Sequence, residues 1–253
     1  MVVWSTVETS CPICRHRLRV REVGGGFATG QDTDLLIRMD GKHVIQAEIH
    51  SCQNCKFSGL AEDFTSRTVT KTMVDRFVRE VVDRLVDDSA QHARNWNPAV
   101  SRTPLPHVQH FWSALAGDAL GLSAGEIGQR YLRAYWSLRL SPSRDLPEAE
   151  LKVLRKRFLQ EAIAHFRHGV RREANRVVVY LIGELCRRNG NFGLAEQYFD
   201  RFLYREEGPS YLKQAARKLQ KAVRDGDASE RTMEEVLYDA NYDRRTRDRR
   251  PRE

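Results

Sequence analysis

The chain has 253 residues, 41% of them hydrophobic and 30% charged, with a formal net charge of +8. That length can bury a substantial core and can hold one small and one larger domain. No apolar run approaches the roughly 18 residues that a membrane-spanning helix needs, which excludes such a span, and the charge is basic without being extreme.

The amino terminus, Met1-Val2-Val3-Trp4-Ser5, lacks a basic start, a long apolar stretch and a small-residue cleavage site. The expectation is therefore a cytoplasmic protein with reduced thiols. Two Cys-x-x-Cys pairs follow, Cys11/Cys14 and Cys52/Cys55, with 37 residues between them. Two thiolates on a two-residue spacer reach one cation, and two such knuckles supply the four soft ligands of a closed tetrahedral zinc site. Iron in a rubredoxin-like site uses the same spacing, so both metals fit the four thiolates. A thioredoxin-like redox motif expects a helix opening at the first cysteine, and the residues around Cys11 offer none. With divalent zinc on four thiolates the net charge falls from +8 to +6.

Alternating apolar and polar residues predict strands at Leu18 to Val23 and at His43 to His50, one beside each knuckle. Gly24-Gly25-Gly26 and Asp40-Gly41 read as turns. Residues 1–65 thus form a zinc-ribbon-like module too small to fold well without its metal. His16, His43 and His50 lie nearby as substitute ligands, although four cysteines already complete the set. Arg15, Arg17, Arg19 and Arg21 alternate and could line one face of the strand after the first knuckle. Asp32 and Asp34, two apart, could share a strand face as a metal or acid/base pair, but residues flanking a Gly-rich stretch are more often turn formers.

From residue 66 the periodicity becomes helical. Val74, Phe77, Val78, Val81, Val82 and Leu85 form one stripe, with Asp75 and Arg79 spaced for an ion pair. Residues 66–106 are this helix and a linker from Asn95 to Pro106. Residues 107–240 read as helical hairpins: Phe111 to Leu120; a helix opened by the Ser123/Glu126 capping box with Ile127, Tyr131, Ala134 and Leu138 inward; and a helix started by Pro147 and carrying Leu151, Phe158, Ala162 and Phe166. Gly183, Cys186, Gly190, Ala195, Phe199 and Phe202 follow the order of a tetratricopeptide (TPR) repeat, in which Gly183 and Ala195 admit close helix approach, Gly190 turns the chain and Phe199 fills the groove. Cys186 falls on the apolar stripe and is expected as core packing. Helices at Tyr211 to Val223 and near Met233 would close the stack, and residues 241–253 form a disordered basic tail with Arg244, Arg245, Arg247, Arg249 and Arg250. The fold class is mostly α, a small β zinc-ribbon-like module followed by TPR-like antiparallel hairpins.

Cys11-Pro12-Ile13-Cys14, the Asp32-Thr33-Asp34 triplet, Cys52-Gln53-Asn54-Cys55 with Phe57, Asp63-Phe64 and the TPR-like block together resemble the uncharacterised bacterial family DUF2225, over most of the chain. The resemblance implies this architecture and a zinc ion, and carries no activity. Glycine usually follows each second cysteine in that family. Arg15 and Lys56 stand there in this chain, a departure that touches the knuckle turns and not the ligands.

No Gly-rich phosphate loop, HExxH helix or nucleophile elbow is present, and a four-cysteine site leaves no open metal position, so no enzyme is expected. The reading that follows is a zinc-binding adaptor whose helical groove takes a protein or peptide. The alternative is a nucleic-acid-binding protein that uses the ribbon and tail arginines.

Overall fold

A computed structural model describes residues 2–39, 44–81, 104–140, 146–170, 175–204 and 208–238. In chain order the strands are β1 (Val3–Ser10), β2 (Arg17–Gly25), β3 (Ala28–Gln31), β4 (Ile37–Met39), β5 (Ile49–Ser51) and β6 (Ser58–Leu60). The helices are α1 (Val44–Ala47), α2 (Ala61–Thr65), α3 (Lys71–Glu80), α4 (Pro106–Leu115), α5 (Ala124–Leu140), α6 (Glu148–Val170), α7 (Arg176–Arg188), α8 (Phe192–Tyr204), α9 (Ser210–Arg224) and α10 (Met233–Tyr238). The protein is mostly helical, with its strands in three antiparallel hairpins. Residues 1–27 and 40–169 make one compact unit, and residues 28–39 and 170–253 the other.

In the first unit β1 and β2 pair with Glu8 opposite Arg19 and Val7 opposite Val20. One face, with Val20 fully buried, turns inward, where the Thr9 hydroxyl donates to the Phe64 carbonyl at 3.0 Å. β5 and β6 form the second short hairpin. The strand expected from His43 to His50 is only partly present. Val44–Ala47 is one helical turn, closed by the Glu48 N–H on the Val44 carbonyl at 3.0 Å, and strand begins at Ile49. Tertiary bonds override the alternation here: His110 Nε2 donates to the Ile45 carbonyl at 2.8 Å, and Gln46 Nε2 to the Ser137 carbonyl at 3.4 Å. His43 lies outside the described residues.

In α3, Phe77 and Val81 are buried as the stripe predicts, but Val78 is 53% exposed, and Arg79 bonds Glu80 instead of the expected Asp75. Val82, Leu85 and the linker to residue 103 lie outside the described residues. The Ser123 capping box forms as expected, with Ser123 N–H on Glu126 Oε2 at 2.8 Å and Glu126 N–H on Ser123 Oγ at 3.2 Å. Aromatic rings then fill the space among α4, α5 and α6: Phe111 lies 6.1 Å from Tyr131 and 5.6 Å from Phe158. Gly128 lets α5 approach α6, since a Cβ there would stand 2.9 Å from the Phe166 ring.

The second unit is built on α7, whose residues from Val179 to Arg188 are all buried. Gly190, at φ 76°, turns the chain into α8. Asn191 Oδ1 then caps α8 by accepting the Leu194 N–H at 3.3 Å. Tyr180 packs against Phe199 and Phe202 at 5.9 and 5.6 Å, and Gly183 faces Phe199 with the clearance seen at Gly128, a Cβ falling 2.9 Å from the ring. The β3–β4 hairpin belongs to this unit. Its turn at Thr33 and Asp34 seats against α7, and Asp32 pairs with Thr232 beside α10.

A four-cysteine centre and two buried ion networks

β1 delivers Cys11 and Cys14 and β5 delivers Cys52 and Cys55, each pair held by the same backbone loop. Cys11 N–H donates to the His16 carbonyl at 2.8 Å and Arg15 N–H to the Cys11 carbonyl at 2.9 Å. Cys52 N–H and Lys56 N–H repeat this on the Phe57 and Cys52 carbonyls at 2.8 and 3.0 Å. Arg15 and Lys56 both sit at φ 62°, the left-handed region that glycine adopts without a Cβ penalty. The knuckles therefore form without glycine, with a local strain at both turns.

The four sulfurs lie within 4.8 Å of one another, with Cys11 Sγ 3.6 Å from Cys55 Sγ and Cys14 Sγ 3.5 Å from Cys52 Sγ. All four are free thiols. Tetrahedral zinc with bonds of about 2.3 Å places its sulfurs about 3.8 Å apart, so the donor set fits such an ion. The hydrogen bond from Cys55 holds the Cys11 thiol down to about 5, while the same bond pushes Cys55 strongly up, and burial raises Cys52. A divalent ion held by these four residues would supply the charge that deprotonates their thiols. Phe57, fully buried, packs on Phe64 and Phe77 at 5.1 and 5.8 Å beside the second knuckle.

Among the described residues no histidine joins this cluster. His16 is exposed; His50 has Nε2 3.0 Å from the backbone N and O of Arg21, and burial lowers its basicity. Asp32 and Asp34 are not an open carboxylate pair, because Arg38 binds Asp32 at 2.8 Å and Arg188 binds Asp34 at 2.9 Å. They belong to the turn that was the simpler reading of the triplet. Arg17, Arg19 and Arg21 share the exposed face of β2, while Arg15 falls in the knuckle before the strand begins. Arg244, Arg245, Arg247, Arg249 and Arg250 lie outside the described residues. Gly183, Cys186, Ala195, Phe199 and Phe202 are buried, and Gly190 forms the turn between α7 and α8.

Two networks escaped the sequence reading. Asp63, fully buried, accepts Leu60 N–H at 2.8 Å, Arg67 Nε at 2.9 Å and Arg130 Nη2 at 2.9 Å, and Arg130 Nη1 pairs with its other oxygen at 2.8 Å. Arg67 continues to Glu126 at 3.1 Å, and Arg130 to the Ser113 hydroxyl. Arg130 stands three residues after Ile127 on an inward-facing register of α5, and that was the only signal available.

In the second unit Glu184 takes Arg187 on both oxygens and Arg188 on Oε1, each at 2.8 Å. Burial would raise its pKa, but the two guanidiniums outweigh that and hold it at about 2. Thr33 Oγ1 donates to Glu184 at 2.5 Å and accepts from Arg188 at 3.0 Å, and the Tyr180 hydroxyl donates to the Thr33 carbonyl at 2.9 Å.

Neither a curated protein nor a solved structure matches the chain. The model of a family described as uncharacterized protein conserved in bacteria, DUF2225, matches residues 5–227. Its span takes in the cysteine cluster, the Asp32-Thr33-Asp34 turn, Asp63 and the Gly183–Phe199 contact, and the chain belongs to this bacterial family.

Proposed function

We propose that the protein is a non-enzymatic adaptor in which Cys11, Cys14, Cys52 and Cys55 hold a structural zinc ion and TPR-like helical hairpins bind a protein or peptide. The observation that carries the adaptor reading is a contact made twice. Gly183 receives the Phe199 ring with Ala195 one turn before it, and Gly128 receives Phe166 with Ala162 one turn before it. Helical hairpins of this kind leave outer helix faces that can take partners. The β3–β4 hairpin already covers α7, so the partner surface lies on α8 and α9, where Tyr204 and Tyr211 are 90% and 42% exposed. Exposed aromatic residues are the side chains that most often anchor a protein interface.

The test is affinity capture of the tagged chain from its native extract, with and without nuclease, compared with a Tyr204→Ser/Tyr211→Ser variant. A stoichiometric protein that survives nuclease and is lost from the variant supports the reading. A sample emptied by nuclease, or a partner held equally by the variant, removes it. Native mass spectrometry reads the metal separately: one zinc per chain is expected, and a red iron-bearing protein replaces zinc by iron at the same ligands.

A further inference from the structure

We infer that the outward face of the β1–β2 hairpin is a binding site for single-stranded nucleic acid, a role separate from the adaptor surface on the helices. Alternate residues of a strand stand about 6.7 Å apart on one side, so Arg17, Arg19 and Arg21 form a regular row of guanidiniums. All three are exposed. The register places Ser10, Glu8 and Thr6 directly opposite them, and continues the same face to Val23 opposite Trp4. The other face is spent on packing, with Val20 buried and Thr9 bonded to the Phe64 carbonyl.

Glu8 is the one carboxylate on this face, and it grips Arg19 through Nε and Nη2 at 2.9 and 2.7 Å. That bond orients Arg19 and leaves the face with two net positive charges, three guanidiniums against one carboxylate. Trp4 lies at the far end of the row, half-buried, with the exposed Val23 across from it. Guanidinium forks match phosphate oxygens, and an indole beside them matches the face of an unpaired base. An acidic polypeptide would use the arginines and leave Trp4 idle. A duplex would do the same, because its base faces are stacked away.

The experiment is fluorescence anisotropy of a labelled mixed-sequence strand of about 20 nucleotides with the full zinc-loaded chain, from about 50 to about 200 mM salt. The same sequence as a duplex and a polyglutamate of similar length are run beside it. Three phosphate contacts give a log–log salt slope of about −2 on a single strand. Replacing Arg17, Arg19 and Arg21 by Ser should flatten that slope and remove the binding. Trp4→Leu should weaken binding about 5- to 150-fold at each salt concentration while leaving the slope in place. Metal content and circular dichroism establish that each variant is folded, and Arg21→Glu, at an exposed position, repeats the charge test with a single change. The inference is overturned if no strand binds at the lowest salt, if duplex or polyglutamate binds as well as the single strand, or if the arginine variants bind like the parent.

Discussion

Asp63→Ala should be among the most damaging single changes in the first unit. The carboxylate is fully buried and takes three hydrogen bonds, from the Leu60 backbone, Arg67 and Arg130 Nη2, with Arg130 Nη1 in ion-pair contact at 2.8 Å. Arg67 keeps Glu126 and is 24% exposed in its side chain, so it can turn to water. Arg130, 5% exposed in its side chain, would be left with the Ser113 hydroxyl among the described residues. Removing one partner from a buried ion pair costs about 3–5 kcal/mol, because the other charge stays desolvated and unpaired. In a protein of this size that lowers the melting temperature by on the order of 10 °C. Urea unfolding followed by circular dichroism measures the loss, with metal release to a chromophoric chelator as a second readout. Asp63→Ala/Arg130→Met removes both charges and should recover most of the stability. A loss below about 1 kcal/mol for the single variant, or a double variant no better than the single, would refute the assignment of the penalty to the stranded guanidinium.

Replacing Arg15 or Lys56 by Gly should raise the stability of the ribbon by about 0.5–1 kcal/mol each, since both residues hold φ 62°; chemical unfolding of the metal-bound chain reads the gain. Gly183→Ala should cost about 1–3 kcal/mol because its Cβ would stand 2.9 Å from the Phe199 ring, and adding Phe199→Leu should return part of that loss in the same assay. His110 is held neutral, down to about 3, by burial and then by Arg133. The unfolded chain therefore binds a proton below about pH 6.5 that the folded chain refuses, and stability falls by about 1.4 kcal/mol per unit between about 6.5 and 3. His110→Gln should flatten a plot of unfolding free energy against pH over that window. Glu184, depressed to about 2, contributes stability that is whole above about pH 4.5 and drains as pH falls toward 2. Glu184→Gln should therefore lose its extra acid sensitivity only in this lower range.

How far the residues disclosed their structure depends on the distance over which each signal acts. The turn within each Cys-x-x-Cys knuckle, β2, the Ser123 box and the Gly183–Phe199 contact are set by spacings within about twenty residues, and all of them form. The turn of Val44–Ala47 was hidden because its alternation favoured a strand, while the bonds that decide it come from His110 and Ser137. Val78 lies on the apolar stripe of α3 yet stays exposed, since periodicity marks a face without stating how far the covering elements reach. Asp63 and Arg130 are 67 residues apart, and Thr33 and Glu184 are 151 apart. No periodicity connects such pairs. A charged residue on an inward register is the one local sign of them.

For the adaptor proposed above, the Asp32-Thr33-Asp34 turn bears on which helical surface a partner would use. Helix α7 would be the natural inner wall of a groove, yet Tyr180, Glu184 and Arg188 are bonded to Thr33 and Asp34. Lifting the hairpin away would cost Arg188 its Asp34 partner and Glu184 its Thr33 hydroxyl, although Arg188 and Glu184 keep each other at 2.8 Å. A competitor would also contend with a tethered segment whose effective concentration is on the order of millimolar. Such a ligand would have to reproduce a carboxylate, a hydroxyl and a backbone carbonyl at the same points merely to break even. The outer faces of α8 and α9 carry no such debt: Tyr204 and Tyr211 are already exposed, and Glu196 with Arg224 and Asp200 with Gln220 tie the two helices together beside them. A partner of the proposed adaptor would meet aromatic side chains on a pair of helices tied to each other, which would keep the ordering entropy lost on binding small. On the adaptor proposal the buried ions of α7 would serve as a rigid backing for the outer surface, and their loss should be felt there as weaker binding before the unit unfolds.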